Sequence, residues 1–274
     1  MTPRCSWPSV SGPKLGDTEL ARVTEAASGN VYGTSAAAPG SSWRSKRWLQ
    51  AGCACDRPTR RRRQLAAAVA LTGTGLLGAS LSTKPNSRAF YALTFSVAGT
   101  WLVGGLATEP LDWSSLRGEE RSLGRLVAVP VLTGVVAFGT FFGAALVARH
   151  IPILNEGLTS VLNYAERGSD SLVMATTLAN GVAEEVFFRG SLFTALAGHN
   201  PVAGSTAVYM LATCATRNPA LVLASGVMGT LFAVQRRASG GLLVPVLTHV
   251  TWSALMLRYL PAVFRKPPDA GRRR

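Results

Sequence analysis

Long stretches of the chain carry no charged residue, and their lengths set the first expectation. Gln64–Thr83, Ala89–Thr108 and Leu126–Ala148 are free of charge. Each is long enough to cross about 30 Å of hydrocarbon as a helix. Ser171–Ala197 has the same reach but carries Glu184, Glu185 and Arg189. Val202–Thr216 and Ala220–Gln235 are shorter, and Asn218-Pro219 turns the chain between them. Runs of that length suit a protein-surrounded hairpin better than lipid-facing spans. A last run extends from Gly241 to Leu260. The pattern predicts an all-α, polytopic transmembrane helix bundle of about seven spans. Residues 1–59 are rich in Ser, Gly, Ala, Pro and Thr and show no apolar period, which predicts disorder. His150 and the stretch to Asp170 read as an extra-membrane loop. In Gly139-Thr140-Phe141-Phe142-Gly143 the spacing of small residues predicts close helix approach.

Composition supports a membrane chain. Only 15% of the 274 residues are charged and 47% are hydrophobic, with a mean hydropathy of +0.23. Soluble domains carry nearer a quarter charged residues. The net charge of +14 would suit nucleic acid, but the basic residues cluster at the ends of apolar runs and in the tails. That is how membrane proteins place charge, so no nucleic-acid partner is expected. The domain expectation is a disordered basic tail over 1–63, a transmembrane helical domain over 64–264 and a basic tail over 265–274. Arg60–Arg63 read as a stop on translocation and place the N-terminus in the cytoplasm, with Arg117, Arg121, Arg125, Arg236 and Arg237 on the same side. The four cysteines, Cys5, Cys53, Cys55 and Cys214, have neither zinc-knuckle nor redox-pair spacing and no histidine nearby.

The ionisable residues inside the fourth run carry the chemistry, because charge at membrane depth is costly. Glu185 and Arg189 are four apart on one helix face, with the acid first. A buried arginine keeps its proton and needs an anion, so these two read as a structural pair. Glu184 lies about 100° around the helix and shares a face with Asn180. A carboxylate without a cationic partner in low dielectric exchanges protons near neutrality, as a general base for water must. Counting from Ser171, Glu184 lies roughly 20 Å deep. Counting from Gly241 on the opposite side, His249 lies roughly 12 Å deep, which brings the two to nearly one level. His249 and Ser253 share a face of the last helix. Tyr209, Thr213 and Thr216 form a polar stripe on a preceding helix. Hydroxyls in such a stripe commonly bond back to their own helix. His199 sits at the wrong end of the bundle to join the site.

Glu184-Glu185-Val186-Phe187-Phe188-Arg189 resembles the EExxxR motif of the CAAX protease and bacteriocin-processing (CPBP, or Abi) family of intramembrane endopeptidases. His249-Val250-Thr251-Trp252-Ser253 resembles that family's HxxxN motif, with serine where asparagine is usual. The similarity covers roughly 171–256, including Gly226, Gly229, Gly240 and Gly241. The family's FxxxH motif falls on Tyr209-Met210-Leu211-Ala212-Thr213, with threonine in the histidine position. The resemblance implies a multi-pass protein of the cell membrane that cleaves a membrane-associated, lipidated or CAAX-like peptide. It implies Glu184 as the base and His249 as the partner of water or oxyanion, completed by Ser253. Glu185, Arg189, Asn180, Tyr209, Thr213 and Thr216 are then supporting residues. Neither a metal nor another cofactor is expected: Glu184 and Glu185 diverge on one helix, and no second histidine joins them. The missing histidine also keeps a scaffold on the same fold open. A lone membrane glutamate leaves a proton-coupled transporter as a third reading.

Overall fold

The computed structural model describes residues 56–108 and 122–264. Among them every regular element is helical. Residues 1–55, with Cys5, Cys53 and Cys55, lie outside the described residues, as do Arg117, Arg121 and the tail 265–274.

The first helix, α1 (Asp56–Ser80), begins before the apolar run. It includes Arg60–Arg63, so the boundary expected at 63 does not fall there. Hydropathy marks the apolar part of a helix, whereas its backbone hydrogen bonds also run through a charged first turn. α2 (Arg88–Thr108) returns against α1. A Cβ on Gly73 would come within 2.4 Å of Trp101, and one on Gly104 within 2.4 Å of Val69. These glycines allow the close approach of the pair. In α3 (Leu123–Ala148), Gly139 and Gly143 meet nothing within 4 Å. The expected helix contact at that pair is therefore absent. Gly134 makes it instead, where a Cβ would approach Thr251 Cβ at 2.7 Å and the Thr248 carbonyl oxygen at 3.0 Å.

The stretch after His150 also departs from expectation. It folds as α4 (Pro152–Arg167), opened by Pro152 in its first turn. Leu158 and Leu162 pack there with Ala145 and Leu260. The Tyr164 hydroxyl reaches the carbonyls of Leu81 and Thr83, which ties α4 to the turn after α1.

α5 (Asp170–Glu184) runs without interruption into a π-helical segment, Glu185–Ser191, and a last α-helical turn, α6 (Leu192–Ala195). α7 (Pro201–Cys214) and α8 (Pro219–Ser239) form a hairpin. Asn218 caps α8, accepting from the backbone N–H groups of Ala220 and Leu221, and Pro219 follows it at the position where no donor is needed. α8 ends at Gly240, whose φ of 68° is the left-handed value that glycine takes most easily. α9 (Leu243–Phe264) closes the bundle against α3, α5 and α8.

Four of these helices are long and apolar enough to cross a membrane: Arg88–Thr108, Gly124–Ala148, Pro219–Ser239 and Leu243–Phe264. This differs from the seven spans expected. α1 opens on arginines, α5 gives way to a charged π segment, and α7 has only 14 residues. α8 is longer than its apolar run, because the helix continues through Arg236 and Arg237 to Ser239. The outer faces are apolar, with Val103, Leu132, Val136, Val147, Leu223 and Val227 all exposed. Half-buried Thr133 and exposed Thr140 and Thr230 return their hydroxyls to carbonyls of their own helices, so that these three donors are satisfied without water.

Candidate active site

The site is built around the π segment. Each of its residues, Glu185 through Ser191, is buried. A helix buried all round must be matched on every side, and this one is. Phe187 stacks on Trp101 of α2 at 4.9 Å, and Val186 lies against Gly105. Phe188 meets the Tyr209 ring of α7 at 4.8 Å. Ser191 accepts a hydrogen bond from Thr108. At the exit, the Leu192 N–H reaches back five residues to the Phe187 carbonyl. This wider turn changes the side-chain directions expected of a regular α-helix, and π turns of this sort concentrate at functional sites.

Glu185 and Arg189 pair within the segment. Arg189 Nη1 donates to Glu185 Oε1 at 3.3 Å, and Nη2 donates to the Gly229 carbonyl of α8 at 2.9 Å. The guanidinium lies 4.8 Å from the Tyr209 ring and 5.3 Å from that of Phe232, within cation–π range. Both side chains are fully buried.

Glu185 has a second partner. His249 Nδ1 lies 2.9 Å from the same Oε1. Because that oxygen already accepts from Arg189, the imidazole is the donor, which leaves Nε2 on the far side of the ring. Nε2 faces Glu184 Oε2 across 4.0 Å. The two adjacent glutamates thus bracket one imidazole. The ring is further held by stacking on Phe232 at 4.5 Å and 20°, and it lies beside Gly181. Below it, Gln235 Nε2 donates to Thr248 Oγ1, and Thr248 donates to the Pro130 carbonyl. These bonds fix α9 to α8 and α3 one residue before the histidine.

Glu184 is not the unpartnered acid that helix geometry suggests. Tyr209 donates its hydroxyl to Glu184 Oε2 at 2.7 Å. Glu184 also differs from Glu185 in access: 14% of its side chain is exposed, against none of Glu185.

The other candidates make their hydrogen bonds elsewhere. Asn180 Nδ2 donates to the carbonyls of Thr94 and Thr176, fastening α5 to α2. Thr213 bonds the Tyr209 carbonyl, and Thr216 bonds the carbonyl of Thr213. Both hydroxyls turn back on their own helix end. Ser253 is buried one turn beyond His249 and makes no hydrogen bond among the described residues. His199 is exposed at the turn before α7. Among the described residues no three His, Cys, Asp or Glu side chains are grouped to hold a metal ion. The sequence reading missed two site elements on α8: the Gly229 carbonyl that takes Arg189 and the Phe232 ring under His249. Their spacing of three residues marks one face, but nothing in the sequence says what that face meets.

Residues 169–255 match a protein family described as type II CAAX prenyl endopeptidase, Rce1-like. The match runs from the residue before α5 into α9. It contains both the EExxxR and the HxxxS stretches, and it supports the CPBP resemblance. With four helices of membrane-crossing length, it supports a membrane endopeptidase family. No curated protein and no solved structure matches the chain significantly.

Proposed function

We propose that the chain is an integral membrane endopeptidase that hydrolyses a peptide bond of a membrane-associated substrate with water activated by Glu184. The observation that carries this reading is the 4.0 Å gap between Glu184 Oε2 and His249 Nε2. A water about 2.8 Å from both atoms closes a triangle with an apex near 90°, close to its own bond angle. It donates one hydrogen to the carboxylate and one to the imidazole, and its free lone pair faces away from both. Glu185 supports this by holding the proton on Nδ1, so that Nε2 is an acceptor. Arg189 pairs with Glu185 and holds the carboxylate in place for that task.

In the reaction the water oxygen bonds to the scissile carbonyl carbon as its proton passes to Glu184. The carbon–nitrogen bond then breaks and the proton moves from Glu184 to the departing amine. Glu184 fits the role because it alone of the two acids is partly exposed. A lipid-anchored peptide is the substrate class, in keeping with the family of the matched segment.

The test uses the purified full chain in phospholipid vesicles. Two probes run in parallel: a fluorogenic peptide ending in S-farnesylcysteine and three aliphatic residues, and a single-span peptide with an unprenylated juxtamembrane extension. Cleavage of either by the wild type, and its loss in Glu184→Gln, is expected. Cleavage of neither probe, or cleavage untouched by E184Q, overturns the reading. A scaffold reading has Thr213 in its favour, since that residue bonds its own helix where the resembled motif has histidine. Under it the wild type cleaves neither probe and E184Q changes nothing.

A further inference from the structure

We infer that Tyr209 is the oxyanion donor of this site. The inference rests on the reading of Glu184 as the base. The Tyr209 hydroxyl makes the one hydrogen bond to Glu184 found among the described residues, at 2.7 Å to Oε2. A carbonyl carbon attacked by water held at Glu184 lies within reach of that hydroxyl. The ring cannot wander. The Arg189 guanidinium lies 4.8 Å from it on one side and the Phe188 ring 4.8 Å away on another. A Cβ on Gly229 would approach its Cδ1 at 3.1 Å, so the helix behind it is already in contact. Thr213 spends its hydroxyl on the Tyr209 carbonyl. α7 therefore offers Glu184 this donor and no second one from the next turn. His249 cannot take the task while its Nδ1 proton is held by Glu185 and its Nε2 accepts from the water.

The step balances without another reactant. In the resting site the phenol donates to the Glu184 carboxylate. Water loses a proton to Glu184, its oxygen bonds the carbonyl carbon, and the carbonyl π electrons move onto oxygen. Glu184 is then a neutral acid, and the new oxyanion is the stronger acceptor, since hydrogen bonds to a charged acceptor are about twice as strong. The phenol turns its donation to the oxyanion and stays protonated throughout. When the oxyanion collapses, the carbon–nitrogen bond breaks, Glu184 returns its proton to the amine, and the phenol donates to the carboxylate again. The preset ring position is what makes such a donor effective.

Tyr209→Phe removes one oxygen and leaves the ring beneath Arg189. With the vesicle assay above, kcat is expected to fall about 100- to 1000-fold, while KM stays within about twofold. The fall is expected to be the same at every pH at which the wild type turns over. If Tyr209 acted only by setting the proton affinity of Glu184, the activity of Y209F would return at another pH, and that result overturns the inference. Retention of more than about a third of kcat also overturns it. Y209F combined with Thr213→His restores the spacing of the resembled motif and is expected to recover at least tenfold over Y209F. E184Q, run alongside, separates the two readings. If E184Q is active, the base assignment fails. If E184Q is inactive and Y209F active, only the donor assignment fails.

Discussion

Arg189→Met tests the buried charge network directly. The side chain is fully buried, as is its partner Glu185. It supplies the donor to Glu185 Oε1 at 3.3 Å and to the Gly229 carbonyl at 2.9 Å. Without it, Glu185 is left fully buried with His249 as its remaining hydrogen-bond partner. Breaking one side of a buried pair costs about 3–5 kcal/mol, because the surviving charge is uncompensated. Removing both charges costs less. Glu185→Gln combined with R189M still lets position 185 accept from His249, and is expected to lie within about 2 kcal/mol of the wild type. The cycle should then show a coupling of at least about 2 kcal/mol between the two positions. Arg189→Lys keeps the charge but not the planar two-armed fork, and is expected to fall between these values. Unfolding in mixed micelles by increasing denaturing detergent gives the free energies. Tryptophan emission follows it, with Trp101 stacked on the π segment as one reporter. An R189M variant within about 1 kcal/mol of the wild type would refute the argument, as would strict additivity in the cycle.

Three further outcomes follow from the helix contacts. Gly134→Ala places a Cβ 2.7 Å from Thr251 Cβ and 3.0 Å from the Thr248 carbonyl oxygen, so backbone must move, and a loss of about 1–3 kcal/mol is expected. Gly139→Ala and Gly143→Ala meet nothing within 4 Å and are expected to be neutral or to stabilise by up to about 1 kcal/mol; the same unfolding assay ranks all three. Thr248→Val removes the donor to Pro130 and the acceptor for Gln235, which is expected to cost about 1–3 kcal/mol. Thr248→Ser keeps the hydroxyl and should recover most of it; a loss in T248S as large as that in T248V would refute the assignment to the two hydrogen bonds.

What the sequence discloses is governed by range. Burial in lipid acts on every residue of a span, so runs such as Leu126–Ala148 announce their helices from composition alone. The acid pair and His249 stand out for the same reason, as ionisable groups in apolar surroundings. Other features have no such signature. α4 reads as a loop because Pro152, Gly157 and many polar residues hide Leu158 and Leu162, whose spacing of four marks the buried face. Glycine spacing fixes which residues share a face, but not whether another helix lies there. Hence Gly139 and Gly143 promise a contact that Gly134 makes. The π segment is a change in hydrogen-bond register, and no residue type demands it.

That register bears directly on the site. α geometry ends at Glu184 and the π segment begins at Glu185. Read as one regular helix, the stretch gives Glu185 to Arg189 and leaves Glu184 alone. Packed in the bundle, both acids instead face one imidazole delivered by α9, Glu185 at Nδ1 and Glu184 toward Nε2. A third helix decides this, so spacing within the first cannot show it. In the proposed function the division between the acids rests on different grounds from those of helix spacing. Glu185 is shared by Arg189 and His249 and is sealed from solvent, so it orients. Glu184 is bonded to Tyr209 and partly exposed, so in the proposed reaction it is the acid that water and a peptide would reach. Under the proposed function, access and partners, more than position on a helix wheel, therefore separate the positioning carboxylate from the reacting one.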